Sequence, residues 1–236
     1  FGTHILKVLQ GNGVDVSAVF RTKRANTGLA FVSLDATGNR EFSFFRNPSA
    51  DLFLDEAQIS PEMFADCAAL HFCSVDLVDW PVRGAHRRAI ELAREAGALI
   101  SFDPNVRLPL SDDEVEFVTG CKDGRAAAKQ LFEGGCKLLL VTRGANGSAV
   151  YTPQTEAFAD TLSVPVTDTT GAGDSFIGSF LYQLTRDGVG VNDLSTLPQA
   201  QLETYLRFSA QYASLTVQHK GAVMATLDEL KQAYPN

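Results

Sequence analysis

The stretch Asp168-Thr-Thr-Gly-Ala-Gly-Asp174 holds the residues of this 236-residue chain that are best suited to chemistry. Apolar residues at helical spacing follow it, which predicts an amphipathic helix over 174–184. The small residues before Asp174 would leave backbone N–H groups open at the positive end of this helix, where they can surround a developing phosphoryl charge. The Asp174 carboxylate could accept a proton from an attacking hydroxyl. Taken alone, the last four residues favour a simpler interpretation, a tight turn with Asp174 as the helix N-cap.

Units of a helix followed by a short apolar strand run through the middle of the chain. The helices are predicted at 62–69, 82–96 and 124–133, and the strands at 70–74, 98–102 and 137–142. This alternation indicates a mostly parallel sheet with helices on both faces. Ligands bind beyond the carboxyl ends of the strands in such sheets. Polar residues follow three predicted strand ends, at 74–76, 103–107 and 143–147.

The first part of the chain predicts a helix and then a hairpin. Residues 1–10 have helical spacing and run into Gly11-Asn-Gly13, a typical helix stop. Two apolar stretches, 27–34 and 40–46, flank the turn-forming residues 35–39 and indicate a β-hairpin. Because the chain lacks an initiator Met and opens inside a helical pattern, we expect residues before Phe1, including a first strand of the fold.

The composition excludes several classes of partner. The chain has 28 acidic and 20 basic residues, a net charge of −8, and therefore no field that attracts a nucleic acid or an anionic membrane surface. A bound phosphate must be held locally by backbone N–H groups, a helix end, single basic residues or a metal ion. The four cysteines lack C-x-x-C spacing and fit a reduced, cytoplasmic setting. No apolar run approaches the roughly 20 residues that a membrane span requires.

Motif searches exclude other chemistries. The chain contains no Gly-Lys dipeptide and hence no Walker-type phosphate loop. Phe176 stands where a dinucleotide fingerprint needs its third glycine, which argues against a nicotinamide cofactor. The four histidines lack zinc-ligand spacing, and no G-x-S-x-G elbow supports a serine hydrolase.

The motif 168–174, followed by Ser175-Phe176 and a helix, resembles the C-terminal signature of the ribokinase-like, phosphofructokinase-B type carbohydrate kinases. The resemblance implies a three-layer α/β fold with a mostly parallel central sheet and a small β lid. Residues 1–236 would form one kinase domain, with 25–48 contributing to the lid. The implied reaction is Mg²⁺-dependent transfer of the ATP γ-phosphate to the primary hydroxyl of a sugar. Asp174 would be the catalytic base, and the N–H groups of Gly171, Ala172 and Gly173 would form the anion hole.

Two further segments are similar to the fructokinase branch of this family. They are Phe45-Arg-Asn-Pro-Ser-Ala-Asp51 and Phe102-Asp-Pro-Asn-Val-Arg107-Leu-Pro-Leu110. The resemblance implies that the sugar is bound by Phe45, Arg46, Asp103, Asn105, Arg107 and Asp174. Read without it, Arg46 fits a surface arginine after a buried strand, and Asp103-Pro-Asn105 fits ordinary turn chemistry.

The resemblance also implies a nucleotide side of the site. ATP would contact Ser111, Glu114, Thr142, Gly144, Thr170, Gly171, Gly173, Lys220 and Gly221. Glu114 would help to organise Mg²⁺, and Asp168 and Thr170 would belong to a candidate K⁺ site. Ser111 and Glu114 alone read as a capping box. The direct junction of Leu110 to Ser111 departs from the family pattern, and we expect a gap in the recorded chain there.

Several functions stay open at this point. Fructokinase is the first expectation, and a 2-keto-3-deoxygluconate kinase, which would need a positive partner such as Arg46 or Arg107 for its substrate carboxylate, is the nearest alternative. A nucleoside kinase would need an aromatic base-stacking site, and a sugar-binding regulatory module would keep the fold without catalysis. The apolar stretch Phe42-Ser-Phe-Phe45 suggests a homodimer through the lid.

Overall fold

The computed structural model describes residues 1–34, 40–105, 114–221 and 223–235. The chain forms two compact units, Phe1–Asn105 and Val106–Asn236. Each unit mixes helices and strands, as expected of an α/β protein. In the described ranges we find no helix with the length and apolar character needed to cross a bilayer.

The first unit opens with α1 (Gly2–Gly11) and a hairpin of β1 (Leu29–Leu34) and β2 (Arg40–Phe45). The two strands pair antiparallel, with Leu29 opposite Phe45 and Leu34 opposite Arg40. The predicted opening helix and hairpin are confirmed. The predicted turn, 35–39, lies outside the described residues.

A parallel pair of strands and one helix form the rest of the first unit. Strands β3 (Ala69–Cys73) and β4 (Leu99–Asp103) are parallel, and α2 (Pro81–Glu95) packs against both. Their shared core contains Phe64, Leu92, Ala93 and Ala98. The prediction of a helix over 62–69 is wrong. That segment holds a short 3₁₀ turn, Pro61–Phe64, because Ala68 and the residues after it extend to pair with β4, as the bond from the Leu99 N–H to the Ala68 carbonyl shows.

The second unit begins with two helices and an antiparallel sheet. Helices α3 (Glu114–Thr119) and α4 (Gly124–Glu133) precede strands β5 (Leu139–Thr142), β6 (Ser148–Tyr151) and β7 (Glu156–Ala159). The predicted bounds of α4 are confirmed. Strands β6 and β7 were not predicted, and both ladders of this sheet are antiparallel, so parallel pairing holds for β3 and β4 but not here. All four residues of β6 are buried, as in a strand covered on both faces.

Three further helices complete the second unit: α5 (Ala172–Arg186), α6 (Gln199–Thr216) and α7 (Leu227–Ala233). Helix α6 packs against α5, β6, β7 and α7. The buried Gln183 amide of α5 donates to the Tyr205 carbonyl of α6 at 3.0 Å and to its own helix at Ser179, 3.3 Å. This bond fixes the two helices side by side, which sets where the first turn of α5 lies.

Candidate active site

The start of α5 differs from its predicted position in a way that matters for Asp174. The helix begins at Ala172, two residues earlier than expected, and its N-cap is Gly171, whose φ of 82° is left-handed and suits glycine. Asp174 is therefore the third helical residue, and the interpretation of Asp174 as an N-cap is wrong. Its carboxylate is exposed and makes no hydrogen bond within the part of the chain that the structure describes.

The N–H groups of this turn divide into two kinds. The Ala172 N–H donates to the Thr169 carbonyl at 3.2 Å, within the turn itself. Those of Gly171, Gly173 and Asp174 have no acceptor among residues 114–221 and 223–235. Three open donors at a helix N-terminus beside an exposed carboxylate can stabilise a negatively charged group while the carboxylate takes a proton.

Asp168 ties the turn before α5 to the end of the chain. One carboxylate oxygen accepts the Thr170 N–H at 2.9 Å and the Thr170 hydroxyl at 2.7 Å. The other accepts the Gly221 N–H at 2.9 Å. The N–H groups of Thr167 and Asp168 also donate to the Val217 carbonyl, at 2.8 and 3.1 Å. The predicted residues Asp168, Thr170 and Gly221 are thus brought together with the first turn of α5, while the Lys220 side chain next to them is exposed.

An apolar groove of about 310 Å³ opens beside Asp174. Its walls come from α5, α6 and the segment before α7, and they include Asp174, Gly178, Tyr182, Phe208, Tyr212 and Met224. The rings of Tyr182, Phe208 and Tyr212 are stacked in sequence at centroid distances of 6.2 and 6.4 Å. Burial, and then the negative charge of Glu229, raise the pKa of Tyr212, whose hydroxyl donates to the Ala225 carbonyl.

The turn after β5 carries the predicted residues Thr142 and Gly144. Residues Thr142–Asn146 are exposed, and Gly144 has a left-handed φ of 53°. The turn closes through a bond from the Arg143 N–H to the Gly147 carbonyl at 2.8 Å. The Arg143 guanidinium donates to the Tyr151 hydroxyl at 3.0 Å. The second unit therefore presents an exposed, hydrogen-bonded turn directly after β5.

In the first unit, Arg46 is held by its neighbours. Its guanidinium donates to one Asp51 oxygen at 2.9 and 2.6 Å and to the Val75 carbonyl at 2.8 Å. Burial acts to raise the pKa of Asp51, but hydrogen bonds from Ser49 and Arg46 outweigh it, so the pKa lies below its ordinary value. Phe45 is 64% exposed and packs edge-on against Phe31 at 5.3 Å.

The predicted residues Asp103 and Asn105 form a turn at the end of β4. The Asn105 N–H donates to an Asp103 carboxylate oxygen at 2.9 Å, and Asn105 has a left-handed φ of 42°. The Ser74 hydroxyl donates to the Pro104 carbonyl. This is the turn chemistry that the sequence alone allowed, and it places an Asp carboxylate and an Asn amide at the carboxyl end of a parallel strand, where ligands bind in α/β sheets.

Some predicted residues fall outside the described ones: Arg107, Ser111 and the Leu110–Ser111 junction. Glu114 is the first residue of α3. Across the described ranges, the structure brings together no group of three or more His, Cys, Asp or Glu residues that could hold a metal ion. Mg²⁺ often takes one or two protein carboxylates and completes its shell with water and substrate phosphates, so it does not require such a group.

Several residues of the second unit were missed in the sequence. They include the groove residues Tyr182, Phe208 and Tyr212, the Val217 carbonyl, and Thr161. The i, i+4 spacing of Gly178 with Tyr182 and of Phe208 with Tyr212 places each pair on one helix face, and this spacing could have identified the two walls of the groove. The Thr161 hydroxyl bonds to the backbone of Gly144 and Gly147, and the Val217 carbonyl accepts from Thr167 and Asp168. These contacts join residues that are distant in sequence, which no residue pattern encodes.

Comparison with known proteins supports the interpretation of the Asp168–Asp174 motif. The profile described as pfkB family carbohydrate kinase matches residues 1–229. The chain is 40% identical over 239 residues to a fructokinase of Solanum tuberosum, which covers 95% of this chain and 73% of that protein. The similarity therefore includes both units.

Solved structures agree with this assignment. A fructokinase from Xylella fastidiosa with bound ATP superposes with a TM-score of 0.87 at 30% identity, covering 99% of this chain and 82% of that one. A fructokinase double mutant from Vibrio cholerae, solved with fructose, ADP and a potassium ion, gives a TM-score of 0.83 at 28% identity, covering 98% and 80%. The fold is the ribokinase-like α/β fold of these proteins and of a ribokinase-type neighbour, so the predicted fold class is confirmed. Since the profile and the relatives both span nearly the whole chain, the protein belongs to the pfkB family of carbohydrate kinases.

Proposed function

We propose that this carbohydrate kinase is a fructokinase, which transfers the γ-phosphate of ATP to the primary hydroxyl of fructose. The observation that carries the proposal is the 40% identity to a fructokinase over 95% of the chain. The exposed Asp174 carboxylate beside the open N–H groups of Gly171 and Gly173 supplies the matching chemistry.

In the proposed mechanism, Asp174 accepts the proton of the sugar hydroxyl as that oxygen attacks phosphorus. The N–H groups of Gly171 and Gly173, at the positive end of α5, stabilise the charge that builds on the equatorial phosphoryl oxygens. The Ala172 N–H, predicted with them, already donates within the turn, so it would contribute after a small rearrangement. Most of the rate enhancement comes from positioning and charge stabilisation, as in other phosphoryl transfers.

On the donor side, we assign the exposed turn Thr142–Gly144, Thr170, Lys220 and Gly221 to ATP. Glu114 would hold Mg²⁺, which when bound offsets the charge of the phosphates. Asp168 and Thr170 are the candidates for a K⁺ site, as the potassium ion of the Vibrio cholerae fructokinase suggests.

The contacts of Arg46 favour fructose over a 2-keto-3-deoxy acid. A substrate carboxylate would need a cation whose charge is available to it. Arg46 already pairs with the Asp51 carboxylate, at 2.6 Å in the shorter contact, so much of its charge is compensated. Phe45, Asp103 and Asn105 stay assigned to the sugar by the resemblance, and Arg107 remains the candidate cation for the alternative substrate.

A homodimer through the lid hairpin is a second element of the proposal. Phe31 and Phe45 lie on one face of the hairpin, and Val32 and Phe44 on the other, each at least half exposed. A two-stranded sheet with apolar side chains on both faces is only marginally stable in water unless another surface covers it. Light scattering should give twice the chain mass, and a mass equal to one chain would remove the dimer.

A cytoplasmic location also stays a proposal. It rests on Cys67, Cys73, Cys121 and Cys136, which are all unpaired thiols, as expected in a reducing compartment. Cell fractionation with an antibody to the protein tests it.

A substrate panel tests the activity directly. Purified protein is assayed for ADP release with ATP, Mg²⁺ and either fructose, ribose or 2-keto-3-deoxygluconate, with K⁺ and with Na⁺. We expect kcat/KM to be highest for fructose. Preference for the keto acid would support the alternative kinase, and no ADP release with any sugar would support a regulatory sugar-binding module.

A further inference from the structure

The turn between β5 and β6 is closed by a hydroxyl from a later segment of the chain. The Thr161 hydroxyl donates to the Gly144 carbonyl at 2.5 Å and accepts the Gly147 N–H at 3.1 Å. Thr161 is 17 and 14 residues away from these two glycines. One side chain thus connects the first residue of the 3₁₀ turn Gly144–Asn146 to Gly147, the residue that follows the turn.

The backbone supports the same arrangement. A Cβ atom on Gly147 would lie 2.3 Å from the Ala159 carbonyl oxygen, so the turn lies directly against the end of β7. Thr161 follows that strand end by two residues. The end of β7 therefore packs directly against the turn. The Thr161 hydroxyl adds hydrogen bonds between the turn and the segment that follows β7.

The outer side of this turn is open. Thr142–Asn146 are exposed, and the N–H groups of Gly144 and Ala145 find no acceptor in the described parts of the second unit. Open N–H donors on an exposed turn can contact a ligand, and they bind it well only when the turn keeps one shape.

We propose that Thr161 is a positioning residue for ATP, which holds the Gly144–Gly147 turn in its nucleotide-binding shape without touching the nucleotide. This inference rests on the proposed function, since it takes ATP as the ligand of the turn. Thr161 is exposed and contacts the turn through its hydroxyl, so its removal should change the shape of the turn more than the stability of the fold.

The test compares Thr161→Val, which keeps the shape of the side chain and removes the hydroxyl, with Thr161→Ser, which keeps the hydroxyl. Thr152→Val is the matched control, because the Thr152 hydroxyl closes the β6–β7 turn in the same way, accepting the Thr155 N–H at 2.9 Å and donating to the Thr155 carbonyl at 3.2 Å. The readouts are the ATP dissociation constant by calorimetry without sugar, and KM for ATP and kcat with fructose.

We expect Thr161→Val to raise the ATP dissociation constant and KM by about three- to tenfold, with kcat changed by less than about twofold. Thr161→Ser and Thr152→Val should stay within about twofold of the parent in ATP affinity. Unchanged ATP affinity in Thr161→Val, or an equal loss in Thr161→Ser or Thr152→Val, overturns the inference. A parent protein that binds ATP but phosphorylates no sugar overturns the proposed function alone, and one that binds no ATP overturns both.

Discussion

The Asp168 carboxylate accepts the backbone N–H of Gly221 at 2.9 Å, 53 residues further along the chain. Its other oxygen holds both the N–H and the hydroxyl of Thr170. The turn that carries the candidate anion hole is thereby attached to the segment after α6, and its shape depends on both attachments.

Replacing Asp168 with Asn should break the contact either to Thr170 or to Gly221. An Asn side chain has one acceptor oxygen and cannot serve both Thr170 and Gly221. We expect Asp168→Asn to lower the free energy of unfolding by about 1 kcal/mol and to reduce kcat, since one partly buried donor loses its acceptor. Urea denaturation and steady-state kinetics measure the two effects. Asp193→Asn is the control, because the Asp193 carboxylate accepts the nearby Gly190 N–H at 2.9 Å in a turn away from the site. Equal losses of stability and of kcat in the two variants would contradict the account.

Gly147 and Gly144 form a matched pair that tests how closely the turn lies against β7. Both have left-handed φ angles, 85° for Gly147 and 53° for Gly144. A Cβ atom added to Gly147 would lie 2.3 Å from the Ala159 carbonyl oxygen, whereas one added to Gly144 would have no neighbour within 4 Å. Gly147→Ala should therefore lower the free energy of unfolding by about 3 kcal/mol, and Gly144→Ala by about 1 kcal/mol. Both values come from urea denaturation, and similar losses in the two variants would contradict the close contact.

The lowered pKa of Asp51 predicts a pH-dependent contribution to stability. Because the folded-state pKa lies below the ordinary value of 3.8, ionised Asp51 stabilises the fold above that pH, and the contribution disappears as pH falls through the folded-state pKa. Asp51→Asn should lower the free energy of unfolding by about 1 kcal/mol at pH 7 and by progressively less as pH falls below 3.8.

Urea denaturation of Asp51→Asn at several pH values checks this contribution. Asp79→Asn, which removes an exposed pair with Arg83, should cost under about 0.5 kcal/mol at every pH. A loss in Asp51→Asn that does not shrink in acid would show that ionisation is not its source.

Local patterns predicted several elements well. Helix α4 has its predicted bounds because Asp123 caps it and Gly134-Gly135 ends it, both of which are visible in the sequence. The hairpin was predictable from its loop composition and its apolar strands. The kinase family followed from seven residues, 168–174, whose small residues and two carboxylates are an unusual combination.

Where the prediction failed, long-range contacts decided the structure. The expected helix over 62–69 gives way to strand pairing of Ala69 with Leu99, 30 residues later. Strands β6 and β7 are four residues each, and the fully buried β6 shows no alternation of apolar and polar residues by which it could be recognised. The Asp168–Gly221 and Thr161–Gly144 bonds join residues whose proximity only the folded chain creates.

The most direct test of the proposed mechanism is the turnover of Asp174→Asn with fructose and ATP. Asp228→Asn is the matched control, since Asp228 is likewise an acidic residue in the first turn of a helix, α7. We expect kcat of Asp174→Asn to fall by about a thousandfold, while the ATP dissociation constant changes by less than about threefold and the control keeps parental activity. A kcat for Asp174→Asn above about a tenth of the parental value would contradict its assignment as the catalytic base.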